Sequence, residues 1–154
     1  MNYIKPDIES LHELIEIRLS FLKECFGPMD KQTIRTLTMQ LQRYFFEEIN
    51  HSLFVYLAQD GDHIISSAFL LVQEKPANPH FLSGKTGLVL NVYTKPEYRG
   101  HGYAGRLLTN LLKDAKSMGL SYVELSATLC GRPLYEKLGF LPVEMTDTAM
   151  RYSF

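Results

Sequence analysis

Tyr3 and Ile4 fit a short opening strand, after which apolar residues fall into a helical repeat: Ile8, Leu11, Ile15, Leu19 and Leu22 share one face. Pro6 and Asp7 form the helix entry, with Asp7 in the N-cap role, and Gly27 with Pro28 closes the segment. A second stripe begins near Asp30 and uses Ile34, Leu37, Leu41, Phe45 and Ile49. Two amphipathic helices are therefore expected ahead of the main sheet.

The period then changes. Residues 53–58 and 64–72 are rich in β-branched, aromatic and aliphatic side chains, with Asp60-Gly61 between them, which predicts an antiparallel hairpin. Pro76, Asn78, Pro79 and Gly84 make 74–85 a loop. Residues 86–94 (TGLVLNVYT) predict a central strand, and Ala104, Leu107, Leu108, Leu111 and Ala115 a third helix, ended by Gly119. A further strand is expected over 122–127. Strand, helix and strand in so short a span favour a right-handed crossover and parallel pairing. Residues 133–138 form a short helix with proline at its start and Gly139 behind it, and 140–145 and 149–154 are the last two expected strands. The fold class is α/β: a mixed, mainly antiparallel sheet flanked by helices, in the order β-α-α-β-β-β-α-β-α-β-β.

A length of 154 residues without internal repeats or linkers suits one domain, 1–154. Hydrophobic residues at 45% against 21% charged exclude a disordered chain. Sixteen basic and seventeen acidic side chains, without basic runs, argue against a nucleic-acid partner. No apolar stretch nears the roughly 20 residues that span a bilayer, so no membrane insertion is expected. Two cysteines and no secretory leader fit a reducing cytoplasm. The five histidines are scattered, with no spacing that suggests a metal.

The segment Tyr98-Arg99-Gly100-His101-Gly102-Tyr103-Ala104-Gly105 carries the strongest chemical signal. It joins a strand to a helix, where unpaired N–H groups and the helix dipole favour an anion. The glycines let backbone approach a ligand, Ala104 and Gly105 keep the first turn slim, and Arg99 adds a positive charge, a geometry suited to a diphosphate. Gly100, Gly102 and Gly105 also spell G-x-G-x-x-G with Glu124 about 20 residues on, the dinucleotide pattern. Four residues separate this turn from its strand, however, and too little chain follows to complete such a fold. No Gly-Lys-Ser/Thr triplet supports a Walker loop.

Arg99-x-x-Gly102-x-Ala104 resembles the R/Q-x-x-G-x-G/A signature of the GNAT superfamily of acetyl-CoA-dependent N-acetyltransferases, and the segments LNVYTKPEYRG and GRPLYEKLGF resemble blocks of the same family. The resemblance implies acetyl-CoA as cosubstrate. Its diphosphate would rest on the backbone of Arg99, Gly100, His101, Gly102, Tyr103 and Ala104, with the side chains of His101 and Tyr103 turned away. Its pantetheine arm would meet Val92, Tyr93 and Thr94 where two parallel strands splay. A primary amine, on a small molecule or peptide, would attack the thioester directly in a ternary complex. The Val92 N–H would stabilise the tetrahedral oxyanion, and Tyr135, the tyrosine of LYEKLGF, would protonate the thiolate. Relatives often place a glutamate base on the fourth strand; here that strand offers Asn91, a candidate for positioning water or substrate or for pairing with backbone.

Other residues carry weaker signals. Cys130, close to Tyr135, suggests an acyl-cysteine relay, against which a buried free thiol is the simpler reading. Tyr44, Phe45 and Phe46 fit either an acceptor pocket or the core. A non-catalytic acyl-CoA sensor and, behind it, a dinucleotide-binding protein are the alternative functions. The acceptor would be chosen by the first two helices and the 74–85 loop, which carry no readable motif, and the exposed last strand offers an edge for a homodimer.

Overall fold

The computed structural model describes residues 2–4, 6, 10–144 and 147–154. Five strands form one sheet in sequence order: β1 (Asn2–Ile4), β2 (Leu53–Asp60), β3 (His63–Glu74), β4 (Lys85–Thr94) and β5 (Val123–Glu124). The first four pair antiparallel, whereas β4 and β5 run parallel through the crossover helix. The mixed sheet read from the sequence is the sheet observed.

Helices cover both faces. On one side α1 (Leu11–Phe26) and α2 (Lys31–Glu48) place Leu14, Ile17, Leu41 and Phe45 against Val55, Leu57 and Phe69. On the other, α3 (Tyr103–Ser117) sets Leu107, Leu108, Leu111 and Ala115 against Tyr56, Ala58, Ile65 and Leu70. Successive residues of β2 thus enter opposite cores, as a two-residue period requires of a central strand. Asp30 caps α2, accepting from the Thr33 N–H at 2.8 Å and from its hydroxyl at 3.0 Å, which holds its carboxyl below the ordinary value. The expected cap Asp7 and the expected stripe residue Ile8 lie outside the described residues; α1 begins after Ser10. Ile34 is 38% exposed because the first half of α2 extends past the sheet.

Two departures shape the rest of the molecule. No strand forms over 141–144 or 147–154, and Met145 lies outside the described residues. Pro142 has no N–H to give a ladder, and Leu141, Val143, Met150 and Tyr152 are each at least 79% exposed, so no packing offsets the entropy of ordering them. Second, β5 is two residues long rather than six. It pairs with β4 only at Gly87–Val123 and Leu88–Glu124, and the chains then diverge. A Cβ on Gly87 would stand 2.7 Å from Leu70 Cδ1 and 3.1 Å from Leu120 Cδ1 and Val123 Cγ2, so the first of the two joined points is tightly packed around a glycine. Short helix α4 (Arg132–Lys137) follows β5.

Candidate active site

Where β4 and β5 separate, a cleft of about 760 Å³ opens, bounded by the second half of β4, the start of α3, α4 and the C-terminal half of α1. A β-bulge sets the β4 wall. Ser67 faces Tyr93 and Phe69 faces Leu90, so β4 carries one extra residue here, and Asn91 takes a left-handed φ of 51°. Asparagine tolerates that region better than most side chains.

The ladder tells which backbone groups of β4 are free. The Lys95 N–H donates to Ile65 O at 2.9 Å, and the alternation of an antiparallel pair turns Tyr93 toward β3 as well. The Val92 and Thr94 N–H groups therefore face the cleft, while that of Tyr93, expected beside them, does not. Its ring is buried instead, edge-on to Phe21 with centroids 6.4 Å apart. The Thr94 carbonyl accepts from Arg99 Nε at 2.9 Å.

After a 3-10 turn at Pro96–Tyr98, the chain enters α3 through Gly100 and Gly102, both at φ 80°. Nothing lies within 4 Å of a Cβ built on either residue, so backbone conformation rather than space demands glycine here. Among the described residues, the N–H groups from Gly100 to Gly105 have no hydrogen-bond acceptor; the first N–H used is that of Arg106, which donates to Gly102 O at 3.1 Å. Six successive free donors at a helix start form an anion cradle. His101 turns away, its Nδ1 3.2 Å from Tyr98 O, and is not part of the cleft lining. Tyr103, expected to turn away with it, does border the cleft and stacks on His101 with ring centroids 5.8 Å apart.

Tyr135 enters from α4, edge-on to Phe140 with centroids 6.0 Å apart. Its hydroxyl has no hydrogen-bond partner among the described residues, and burial pushes its pKa up. It is a neutral phenol with a proton to donate, bordering the same cleft as the free amides.

Asn91 is 3% exposed at the cleft wall, and its amide is held from two sides: Nδ2 donates to Ser67 Oγ at 2.9 Å and Oδ1 accepts from Arg18 Nη1 at 3.1 Å. Sequence reasoning missed Arg18, Phe21 and Glu24, which α1 brings to the cleft. A signal existed for Arg18: it falls three and four residues from Leu14, Ile15, Phe21 and Leu22, a lone cation on an apolar face. Glu24 Oε2 accepts from Arg99 Nη2 at 2.6 Å, so the charge assigned to the turn by Arg99 is already countered. The cysteines also differ from expectation. Cys130 is exposed rather than buried, because the segment before α4 lies on the cleft rim, and Cys25 is exposed on the opposite rim. Phe45 belongs to the core and Phe46 is 66% exposed, so neither lines the cleft. Among the described residues no group of His, Cys, Asp and Glu could hold a metal ion, and no helix is long and apolar enough to cross a membrane.

The model of the "Acetyltransferase (GNAT) family" matches residues 13–140. Over 88 residues the chain is 34% identical to a glucosamine 6-phosphate N-acetyltransferase of Trypanosoma brucei brucei, a match spanning 56% of each protein, so the chain aligns with about half of that relative's length. A protein of Clostridium acetobutylicum, described as a predicted acetyltransferase and solved with acetyl-CoA, superposes with a TM-score of 0.82 at 28% identity, covering 99% of this chain and 95% of that one. A GCN5-related N-acetyltransferase of Ralstonia eutropha shares the fold at a TM-score of 0.80 and 22% identity, with 97% of each chain covered.

Proposed function

The chain belongs to the GNAT acetyltransferase family, and from that premise we propose that residues 1–154 are one N-acetyltransferase domain that moves an acetyl group from acetyl-CoA to a primary amine by direct attack in a ternary complex. The observation that carries this reading is the run of N–H groups from Gly100 to Gly105, unbonded among the described residues, at the same cleft as the Tyr135 phenol, which has no partner among them either.

The residues fit the cosubstrate. Arg99, Gly100, His101, Gly102, Tyr103 and Ala104 would offer their backbone to its diphosphate, and Val92 and Thr94 their N–H groups to the pantetheine arm. Bound acetyl-CoA supplies a thioester that an amine can open with loss of a thiolate. The fixed Val92 N–H donates to the carbonyl oxygen as negative charge builds on it, a preorganised donor in a partly desolvated site. Tyr135 gives its proton to the leaving sulfur; a phenol with a pKa above its ordinary value of about 10 holds that proton at neutral pH and can donate it in the transition state. Asn91, a carboxamide, is too weak a base to take the amine's proton; that proton passes to water, from which the Tyr135 phenolate is reprotonated.

The same reading includes a homodimer formed through the exposed apolar residues Leu141, Val143, Met150, Tyr152 and Phe154 and the open edge of β5, and a cytoplasmic site in which Cys25 and Cys130 stay free thiols. Sedimentation of the pure protein tests the first. The activity is tested by thiol release from acetyl-CoA across an amine panel. Turnover is expected, and tight coenzyme A binding with no turnover on any amine would make the protein a sensor.

A further inference from the structure

Two arginines border the cleft wall between α1 and β4, and they are placed differently. Arg99, at the Thr94 end, is paired with Glu24. Arg18, at the Asn91 end, is half-buried, and among the described residues it has no carboxylate within ion-pair distance. Its contacts among the described residues are neutral: Nη1 donates to Asn91 Oδ1 at 3.1 Å, and the guanidinium carbon lies 5.4 Å from the Phe21 ring centroid. The titratable groups that face it are Cys25 on its own helix and Tyr44 on α2, whose phenol burial pushes up and so keeps neutral. Glu48, beyond Tyr44, is hydrogen-bonded to the Ser52 hydroxyl.

A guanidinium has five donors, and taking it from water without an anion is costly. Here burial itself opposes its charge. The fold nevertheless holds it firmly, because Asn91, which grips it, is fixed in turn by Ser67. Asn91 precedes Val92, the proposed donor to the acyl oxygen, so the remaining donors of Arg18 stand at the acyl end of the cleft. The diphosphate cradle lies at the other end.

We infer that Arg18 reads an anionic group, phosphate or carboxylate, on the acceptor amine, so that the substrates of this cleft are small acidic amines. This deepens the acetyltransferase reading and rests on it. Arg18 would bind the anion while Asn91 and Ser67 hold the guanidinium from behind, a planar fork suited to either oxyanion.

The test compares kcat/KM within two matched pairs, glucosamine 6-phosphate against glucosamine and alanine against alaninamide, for the native protein, Arg18→Gln and Arg18→Lys. The anionic member of one pair should be favoured by about 10- to 100-fold, the span of a charged hydrogen bond. The pair that shows the preference identifies phosphate or carboxylate. Arg18→Gln should abolish the preference and Arg18→Lys restore part of it, which separates a lost charge from a lost fold. Equal use of both members, a preference that survives Arg18→Gln, or an Arg18→Gln defect confined to coenzyme A binding would overturn the inference. If no amine turns over, titration calorimetry of glucosamine 6-phosphate and of alanine into the coenzyme A-loaded protein decides. Binding that Arg18→Gln removes would keep the anion site and end the acetyltransferase reading, whereas no binding would end both.

Discussion

The two sides of the cleft are built from different materials. The side formed by the end of β4 and the start of α3 presents backbone: the N–H groups of Val92, Thr94 and Gly100 to Gly105, set by a bulge and by two glycines at φ 80°. The side formed by α1 presents side chains: Arg18, Phe21 and Glu24 on a helical face. Backbone donors are common to all residues, so the first side needs only a conformation, and its recognition survives almost any change that preserves φ. The second needs particular atoms on a particular helix. One side is suited to a fixed cosubstrate, the other to a substrate that differs between proteins.

Tyr135 crosses that division, a single side chain on which the chemistry of either side depends, and its loss should be the largest effect. Tyr135→Phe is expected to lower kcat about 100-fold or more with little change in the KM for acetyl-CoA, read by thiol release. Burial raises the phenol pKa, so the acid form persists through neutral and mildly alkaline pH and its loss shows only above about pH 10; Tyr135→Phe should lack that alkaline limb. The stability linked to this phenol follows the same sign, complete below about pH 10 and lost as pH rises through the folded value.

Gly87 joins β4 to β5 below the cleft, and Gly87→Ala is expected to cost about 1–3 kcal/mol in chemical denaturation, since its Cβ would sit 2.7 Å from Leu70 Cδ1. Gly102→Val forces a β-branched residue to φ 80°, a strain of about 1–2 kcal/mol or more, and should weaken coenzyme A binding by about tenfold in calorimetry while sparing the fold. The smallest effect sharpens the contrast most. His101 lies between two essential glycines, yet among the described residues its ring interacts with Tyr98 O and the Tyr103 ring and not with the cleft, so for His101→Ala coenzyme A affinity should stay within about twofold. A large loss there would mean that the turn works through side chains after all.

What was legible in the sequence follows the same division. The glycine spacing, the start of a helix at about Ala104 and the β4 run could be read because each reflects a local backbone demand, and the family resemblance rested on them. The α1 contribution could not, because Arg18 meets Asn91, 73 residues away, and Glu24 meets Arg99, 75 away, only once the sheet and α1 are packed. Asn91 was visible as a polar residue in an apolar strand, but its positive φ and its hold on Arg18 depend on the bulge against β3. The strands expected over 140–145 and 149–154 were read from apolar content alone, and Pro142 together with the lack of a packing surface outweighs that content.

The backbone grip on the diphosphate is tested most directly by following the amide proton and nitrogen resonances of Gly100 to Gly105 while coenzyme A, and separately pantetheine, is titrated into the protein. Coenzyme A should shift these amides downfield in saturable fashion, and pantetheine, which has no diphosphate, should leave them in place while moving Val92 and Thr94. Saturation by coenzyme A with the Gly100 to Gly105 amides unmoved would contradict the account.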